Sequence, residues 1–336
     1  MDDRDIPFVE ARLTQADRLA VAIESVTAQL ATLRAADELT GPGPIFVGIG
    51  ASLAAACAPV WELRGRGVHS WRLGAGDLPL PFPPSRHPIV GVSQSGRSAE
   101  TLTVLKEVPE DQRYAVVNYQ PSPIAELVQR TISLDNIPDS YASTIGYTAT
   151  VAALGLIADS WDGGRIDPGW ARLPEIFRAC DAEFGDRIRP IAALFTSAES
   201  IDFVGAGPSV GSAESGALLF REVARIHATA MSTRQYLHGS MESAGDGVHV
   251  LLGDTREVEV ARTLSEAGHQ VVLLSAQPVP SGPRLRTVHM PDLPPSQRAI
   301  IEALFMQVLV GEAANLRGLN IEEFVFNNTD TKVPLP

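Results

Sequence analysis

The sequence predicts an α/β protein built as two parallel-sheet units, and three stretches carry that prediction. Ile45-Phe46-Val47-Gly48-Ile49-Gly50-Ala51-Ser52 runs an apolar strand into a glycine turn and a helix of small residues. Ile201-Asp202-Phe203-Val204-Gly205-Ala206-Gly207-Pro208-Ser209 repeats that unit in the second half. Between them, Ile89-Val90-Gly91-Val92-Ser93-Gln94-Ser95-Gly96-Arg97-Ser98 is a richer version with three hydroxyls around a glycine. A strand feeding such a turn at a helix N-terminus can hold a phosphate through backbone N–H groups and the helix dipole. The duplication speaks for the fold, and the hydroxyl loop speaks for the ligand.

The other elements follow in order. Leu13, Leu19, Ala20, Ile23, Val26, Leu30 and Leu33 recur with helical period over residues 13–36. Gly41-Pro42-Gly43-Pro44 ends that helix. Short apolar runs at 44–48, 68–73, 88–93, 114–119 and 131–134 then alternate with helical stretches, the rhythm of βαβ units whose sheet is buried on both faces. A helix over 148–161 closes the first unit. Asp162-Gly163-Gly164 and Asp167-Pro168-Gly169 are turns, and 176–197 reads as a helical bridge. Strands recur near 200–205, 247–253, 270–275 and 286–290. A last helix over 297–317, apolar all round, reads as a buried core or interface element, with Gly318 as its cap. The expected organisation is an N-terminal helical segment (1–37), a first domain (38–166), a helical linker (167–198), a second domain (199–322) and a tail (323–336).

At 336 residues, with 45% hydrophobic and 20% charged residues, the chain is long enough for two ordinary cores and is not disordered in composition. A net charge of −13 argues against nucleic acid, which needs clustered Lys and Arg, but not against one small phosphate ester. No apolar stretch approaches a membrane span of roughly 18 or more residues, and no signal-like segment opens the chain, so a cytoplasmic enzyme or sensor without membrane contact is expected. Cys57 and Cys180 lack metal spacing and read as reduced thiols.

The Ser93–Ser98 stretch has two readings from its residues alone: a hydroxyl-rich helix cap, or a phosphate loop in which Ser93, Ser95 and Ser98 add hydroxyls to the helix-start N–H groups. Here the sequence resembles a known family. Ser93-Gln94-Ser95-Gly96-x-Ser98-x-Glu100-Thr101 is similar to the signature loop of SIS (sugar isomerase) domains. The likeness extends to Gly50-Ala51-Ser52, to Tyr141-Ala142-Ser143-Thr144, to the stretch from Gly205 through His238-Gly239, and to the tail at Lys332. It covers nearly the whole chain, in the double-SIS layout of the isomerase half of glucosamine-6-phosphate synthases.

The resemblance implies two flavodoxin-like domains, each a three-layer αβα sandwich around a parallel sheet, with a sugar phosphate at the carboxyl ends of the strands. It implies that Ser93, Gln94, Ser95 and Ser98 hold the phosphate and that Ser52 and Ser143 meet sugar hydroxyls. Glu222 reads by itself as a solvated helix carboxylate beside Arg221 and Arg225; the resemblance makes it the group that moves a proton between C1 and C2. His238, one of seven histidines, matches the ring-opening histidine of a His-Gly-Pro motif and often serves a neighbouring subunit, although Ser240 stands where the family has proline. Lys332, by default a solvated charge, matches a tail lysine that forms an imine with a ketose carbonyl, which requires a neutral amine. Leu219 stands where the family synthase has a lysine.

The expected activity is a phosphosugar isomerase or aminosugar-phosphate deaminase acting on a ketose or amino-hexose 6-phosphate, without a glutaminase domain, metal or organic cofactor. A homodimer with its site at the subunit interface is expected. The alternative is a non-catalytic sugar-phosphate sensor.

Overall fold

The computed structural model describes residues 5–326, 328 and 330–334; residues 1–4 of the expected N-terminal segment and 327, 329, 335 and 336 of the expected tail lie outside the described residues. The chain divides into two compact units, one of residues 1–175 with 325–336, the other of 176–324.

In the first unit, α1 (Phe8–Leu13) and α2 (Gln15–Ala35) precede β1 (Ile45–Gly48), α3 (Ala51–Ala55), α4 (Cys57–Gly65), β2 (Trp71–Gly74) and β3 (Ile89–Ser93). Then come α5 (Ala99–Glu107), β4 (Arg113–Val117), α6 (Pro123–Leu127), β5 (Arg130–Ser133) and α7 (Ile145–Ser160). The sheet is parallel in the order β2-β1-β3-β4-β5, the flavodoxin-like winding. β1 and β3 are buried at every residue, which is why they read as continuous apolar runs; the edge strand β2 is exposed at Trp71 and only partly buried beyond it. α2 buries Leu19, Ile23, Val26 and Leu30 of the periodic positions, together with Ala22, while Ala20 and Leu33 are partly buried and Leu13, in α1, is exposed. The expected helix start at 13 is a turn at Thr14 between two helices, and helical structure reaches back to Phe8.

The second unit repeats the winding. α8 (Leu173–Ala192) enters it, followed by β6 (Ser200–Gly205), α9 (Val210–Leu219), β7 (His227–Ser232), α10 (Thr233–Leu237), β8 (Val248–Leu252), α11 (Arg256–Glu266), β9 (Gln270–Ser275), β10 (Leu285–His289) and α12 (Pro295–Leu316). Its parallel sheet runs β10-β9-β8-β6-β7, the same order read from the other edge. The α/β class with two flavodoxin-like halves, each a parallel sheet flanked by helices, therefore holds.

The strand β7 is one the sequence reading lacks. His-Ala-Thr-Ala-Met-Ser has no apolar run, and only Ala228 of it is buried, because it is an edge strand held by main-chain pairing to β6. The statement that no stretch approaches a membrane span also needs correction: α12, at 22 residues, is long and apolar enough by length and composition. It is buried, however, and carries Gln297, Arg298, Glu302 and Gln307 in its buried face, with Arg298 and Glu302 paired. Gly318, at φ +68°, donates to Asn315 O at 3.0 Å and ends the helix as its cap. Neither Cys57 nor Cys180 is in a disulfide, and burial pushes the Cys180 thiol up to about 11.

Candidate functional site

In a flavodoxin-like sheet the ligand crevice opens where the winding reverses, between the carboxyl ends of its first and third strands. In the first unit these are Gly48, leading to Ser52 in α3, and Ser93, which opens the hydroxyl loop. Gly96 sits at φ +64°, and a Cβ there would lie 2.1 Å from Ser122 Oγ, so the turn requires glycine twice over. Gln94 O accepts from Asn118 N at 3.0 Å and Tyr119 N at 3.2 Å, which ties the loop to the end of β4. Ser93 Oγ accepts from Ser98 N at 3.4 Å, and Ser95 Oγ accepts from Arg97 N at 3.3 Å. Ser98 is the N-cap of α5: its Oγ accepts from Thr101 Oγ1 at 3.1 Å and donates to Glu100 at 3.2 Å. The cap and the phosphate-loop readings thus describe the same residues.

Ser143 reaches this loop through a residue the sequence reading missed. Asp139 is buried and accepts from Ser143 Oγ at 2.6 Å, Thr144 Oγ1 at 2.9 Å, Thr144 N at 3.0 Å and Gly146 N at 3.0 Å. Burial pushes its carboxyl up while these donors pull it down, with burial ahead. The carboxylate satisfies the first N–H groups of α7 and starts that helix at Ile145, three residues before the periodicity does. A Cβ on Gly146 would lie 2.4 Å from Asp139 Oδ2, 3.0 Å from Ser143 Oγ and 3.1 Å from Gln94 Cγ. Gln94 and Ser143 are brought together there, and only glycine fits. An acidic residue shortly before a Ser-Thr pair at a helix start was the available signal.

Lys332 joins the loop from the far end of the sequence, forming an isolated antiparallel bridge with Ser98. The first unit therefore gathers Ser93, Gln94, Ser95, Ser98, Ser143 and Lys332 at the carboxyl end of its sheet, with Ser52 on the neighbouring β1 exit.

The corresponding crevice of the second unit, after β6 and β8, is filled by the chain's own charges. Arg298 holds Asp254 by both terminal nitrogens and Glu302 Oε1 through Nε at 2.9 Å, while Ser209 Oγ donates to Glu302 Oε1 at 2.8 Å. Burial raises the Asp254 carboxyl, but the bonds from Arg298 outweigh it and hold it below its ordinary value.

Glu222 lies in the second unit, in a π-helical turn, Phe220–Ala224, that follows α9. Phe220 anchors the turn against Phe195 and Phe203, at ring centroids of 5.1 and 5.4 Å. The flanking arginines, the natural partners of a solvated carboxylate, turn away. Arg221 Nε donates to Ala228 O at 2.6 Å, and Arg225 Nη2 donates to Glu323 O at 3.0 Å from a left-handed backbone. Burial, with no cation to offset it, pushes the Glu222 carboxyl up to about 7. π-turns inside helices recur at functional positions. Leu219, immediately before the turn, is buried.

His238 is exposed at the C-cap of α10, followed by Gly239 at φ +130° and the short turn Ser240–Ser243. That helix is pinned by Tyr236, fully buried, whose hydroxyl meets His249 Nδ1 of β8 at 3.2 Å; the same nitrogen lies 3.3 Å from Asp202 of β6.

No family model matches the chain. Over 264 residues it is 25% identical to glutamine–fructose-6-phosphate aminotransferase (isomerizing) of Thermus thermophilus, covering 72% of this chain and 44% of that protein. The chain thus spans less than half the length of this curated relative. Among solved structures it resembles the C-terminal domain of glucosamine-fructose-6-phosphate aminotransferase from Francisella tularensis, with a TM-score of 0.78 at 19% identity over 93% of this chain and 96% of that one. It also resembles tagatose-6-phosphate ketose/aldose isomerase from Escherichia coli, with a TM-score of 0.77 at 16% identity over 95% and 96%. The double-SIS resemblance of the sequence holds in the fold.

Proposed function

We propose that this double-SIS chain is a phosphosugar isomerase or aminosugar-phosphate deaminase that acts on a ketose or amino-hexose 6-phosphate. The observation that carries the reading is Glu222, whose carboxyl is pushed up to about 7 by burial. Near neutral pH both of its forms are populated, as required of a group that takes a proton from one carbon and returns it to the next. The names of the relatives, an isomerizing aminotransferase and a ketose/aldose isomerase, support the same chemistry.

In this reading Ser93, Gln94, Ser95 and Ser98 hold the phosphate, and Ser52 and Ser143 orient the sugar hydroxyls, Ser143 under the control of Asp139. His238 takes the proton of the anomeric hydroxyl and gives one to the ring oxygen, which breaks the bond between the anomeric carbon and that oxygen and frees the carbonyl. Glu222 removes the proton on the carbon beside that carbonyl to leave an enediolate, and returns it to the former carbonyl carbon while a proton passes from the adjacent hydroxyl to the former carbonyl oxygen. Lys332 orients the ketose carbonyl or condenses with it as an imine, with loss of water. Exposure of His238 suits service to a second subunit of a homodimer. One observation favours the sensor: a buried Leu219 stands where the synthase resemblance calls for lysine.

Both readings are tested by incubating the chain with hexose and hexosamine 6-phosphates in heavy water. Turnover predicts deuterium at C1 or C2, with release of ammonia from amino sugars for a deaminase, and Glu222→Gln should slow the exchange about 100- to 10,000-fold. Tight binding with exchange no faster than in the Gln variant across the panel would establish the sensor.

A further inference from the structure

We infer that Arg97 is a positioning residue that holds Lys332 at the phosphate loop. The inference rests on the sugar-phosphate reading of that loop and names the side chain that delivers the tail to it. Of 27 basic residues only two are lysines, Lys106 and Lys332. Lys106 stands exposed in the last turn of α5, whereas Lys332 lies in the tail segment that crosses the loop. Arginine cannot give up its proton in a protein, so the only other lysine amine stands away from the loop.

Residues 331–333 run antiparallel to 97–99. Ala99 N donates to Thr331 O at 3.1 Å, and Val333 N donates to Arg97 O at 2.9 Å, so Lys332 is flanked by a main-chain bond on each side. Arg97 Nε then donates to Val333 O at 2.8 Å. The two main-chain bonds would form with any residue at 97; the third exists only because the side chain is a guanidinium. It closes a two-point grip on Val333, the residue after Lys332, and a charge-assisted bond of this kind is roughly twice as strong as a neutral one. The Val333 side chain packs on the core beneath the first sheet, which sets the depth of the segment. Arg97 stands between Ser95 and Ser98 in the loop, so an anion held by the loop and the tail held by Arg97 share one piece of backbone. Each should therefore favour the other by the same factor.

The test uses the full chain, with amide hydrogen exchange at Val333 and Ala99 as the readout and inorganic phosphate as the probe. Arg97→Ala should speed exchange at Val333 about 3- to 10-fold, the fold-change of one hydrogen bond, and Arg97→Lys should recover part of it because an ammonium can donate to the same oxygen. Phosphate should slow exchange at Val333 in the wild type and do so less in Arg97→Ala. On whichever sugar phosphate the wild type turns over, Arg97→Ala should lower kcat several-fold while KM stays within about threefold, since the loop keeps its own donors. Equal Val333 exchange in wild type and Arg97→Ala would overturn the inference, as would a raised KM at unchanged kcat. Faster exchange in the variant, in a chain that turns over no sugar phosphate, would leave the grip standing and remove the isomerase reading instead.

Discussion

Replacing Glu222 with Gln should change the pH dependence of stability in a way that needs no substrate to observe. Glu222 has its carboxyl pushed from an ordinary 4.5 to about 7 by burial in the π-turn. In the unfolded chain it would titrate near the ordinary value. Between those two values the folded protein holds a proton that the unfolded chain has released, so stability falls as pH rises through that window. Below it, both states are protonated and Glu222 costs nothing. Above about pH 7 the folded state carries a half-buried carboxylate with no cation on it, at a cost of about 1.4 kcal/mol for each pH unit between the two values, or about 3 kcal/mol in all. Gln at 222 keeps the shape and never ionises. The variant should therefore match the wild type at pH 4 and exceed it by about 3 kcal/mol at pH 8.5, measured by urea unfolding followed by far-ultraviolet circular dichroism. The four tryptophans, at 61, 71, 161 and 170, all lie in the first unit and would report on the wrong half. Carbon-13 glutamate labelling gives the direct reading: one carboxyl resonance with a midpoint near 7 that disappears in the variant. A difference between the two proteins that does not change with pH, or a Glu222 midpoint near 4.5, would refute the reasoning and remove the observation that carries the proposed chemistry.

Two further outcomes follow from the site. Ser95→Ala should weaken sugar-phosphate binding by about 1–3 kcal/mol in calorimetry, the cost of leaving a charged acceptor one bond short, and the unphosphorylated sugar should bind poorly to the wild type; equal affinity for the two sugars would remove the phosphate assignment. Mixing Glu222→Gln with His238→Ala should restore part of the activity that each lacks alone if His238 serves a second subunit, and light scattering should find at least a homodimer; a monomer at working concentration would remove both halves of that idea.

Local pattern determined a good deal of this protein. β1, β3, β8 and β9 were legible because strands buried on both faces are apolar at nearly every residue, and the repeated strand–glycine–helix unit announced the duplication that both sheets then display. The hydroxyl loop was legible because it lies within ten residues of chain and its glycine has no substitute at φ +64°. What the pattern could not carry are the contacts that join distant parts of the chain. β7 exists because its main chain pairs with β6, and its side chains hardly record that. α7 begins where Asp139, nine residues ahead of the periodic stretch that reveals the helix, satisfies its first N–H groups. The environment of Glu222 depends on Arg221 and Arg225 leaving it for backbone oxygens, one of them nearly a hundred residues further on. Lys332 meets Ser98 across more than two hundred residues, through main-chain bonds and one guanidinium that no local propensity encodes. Periodicity records which side of an element is buried; which carboxylate stays unpaired, and which cation is held beside the loop, depends on partners that only the folded chain brings within 3 Å of one another.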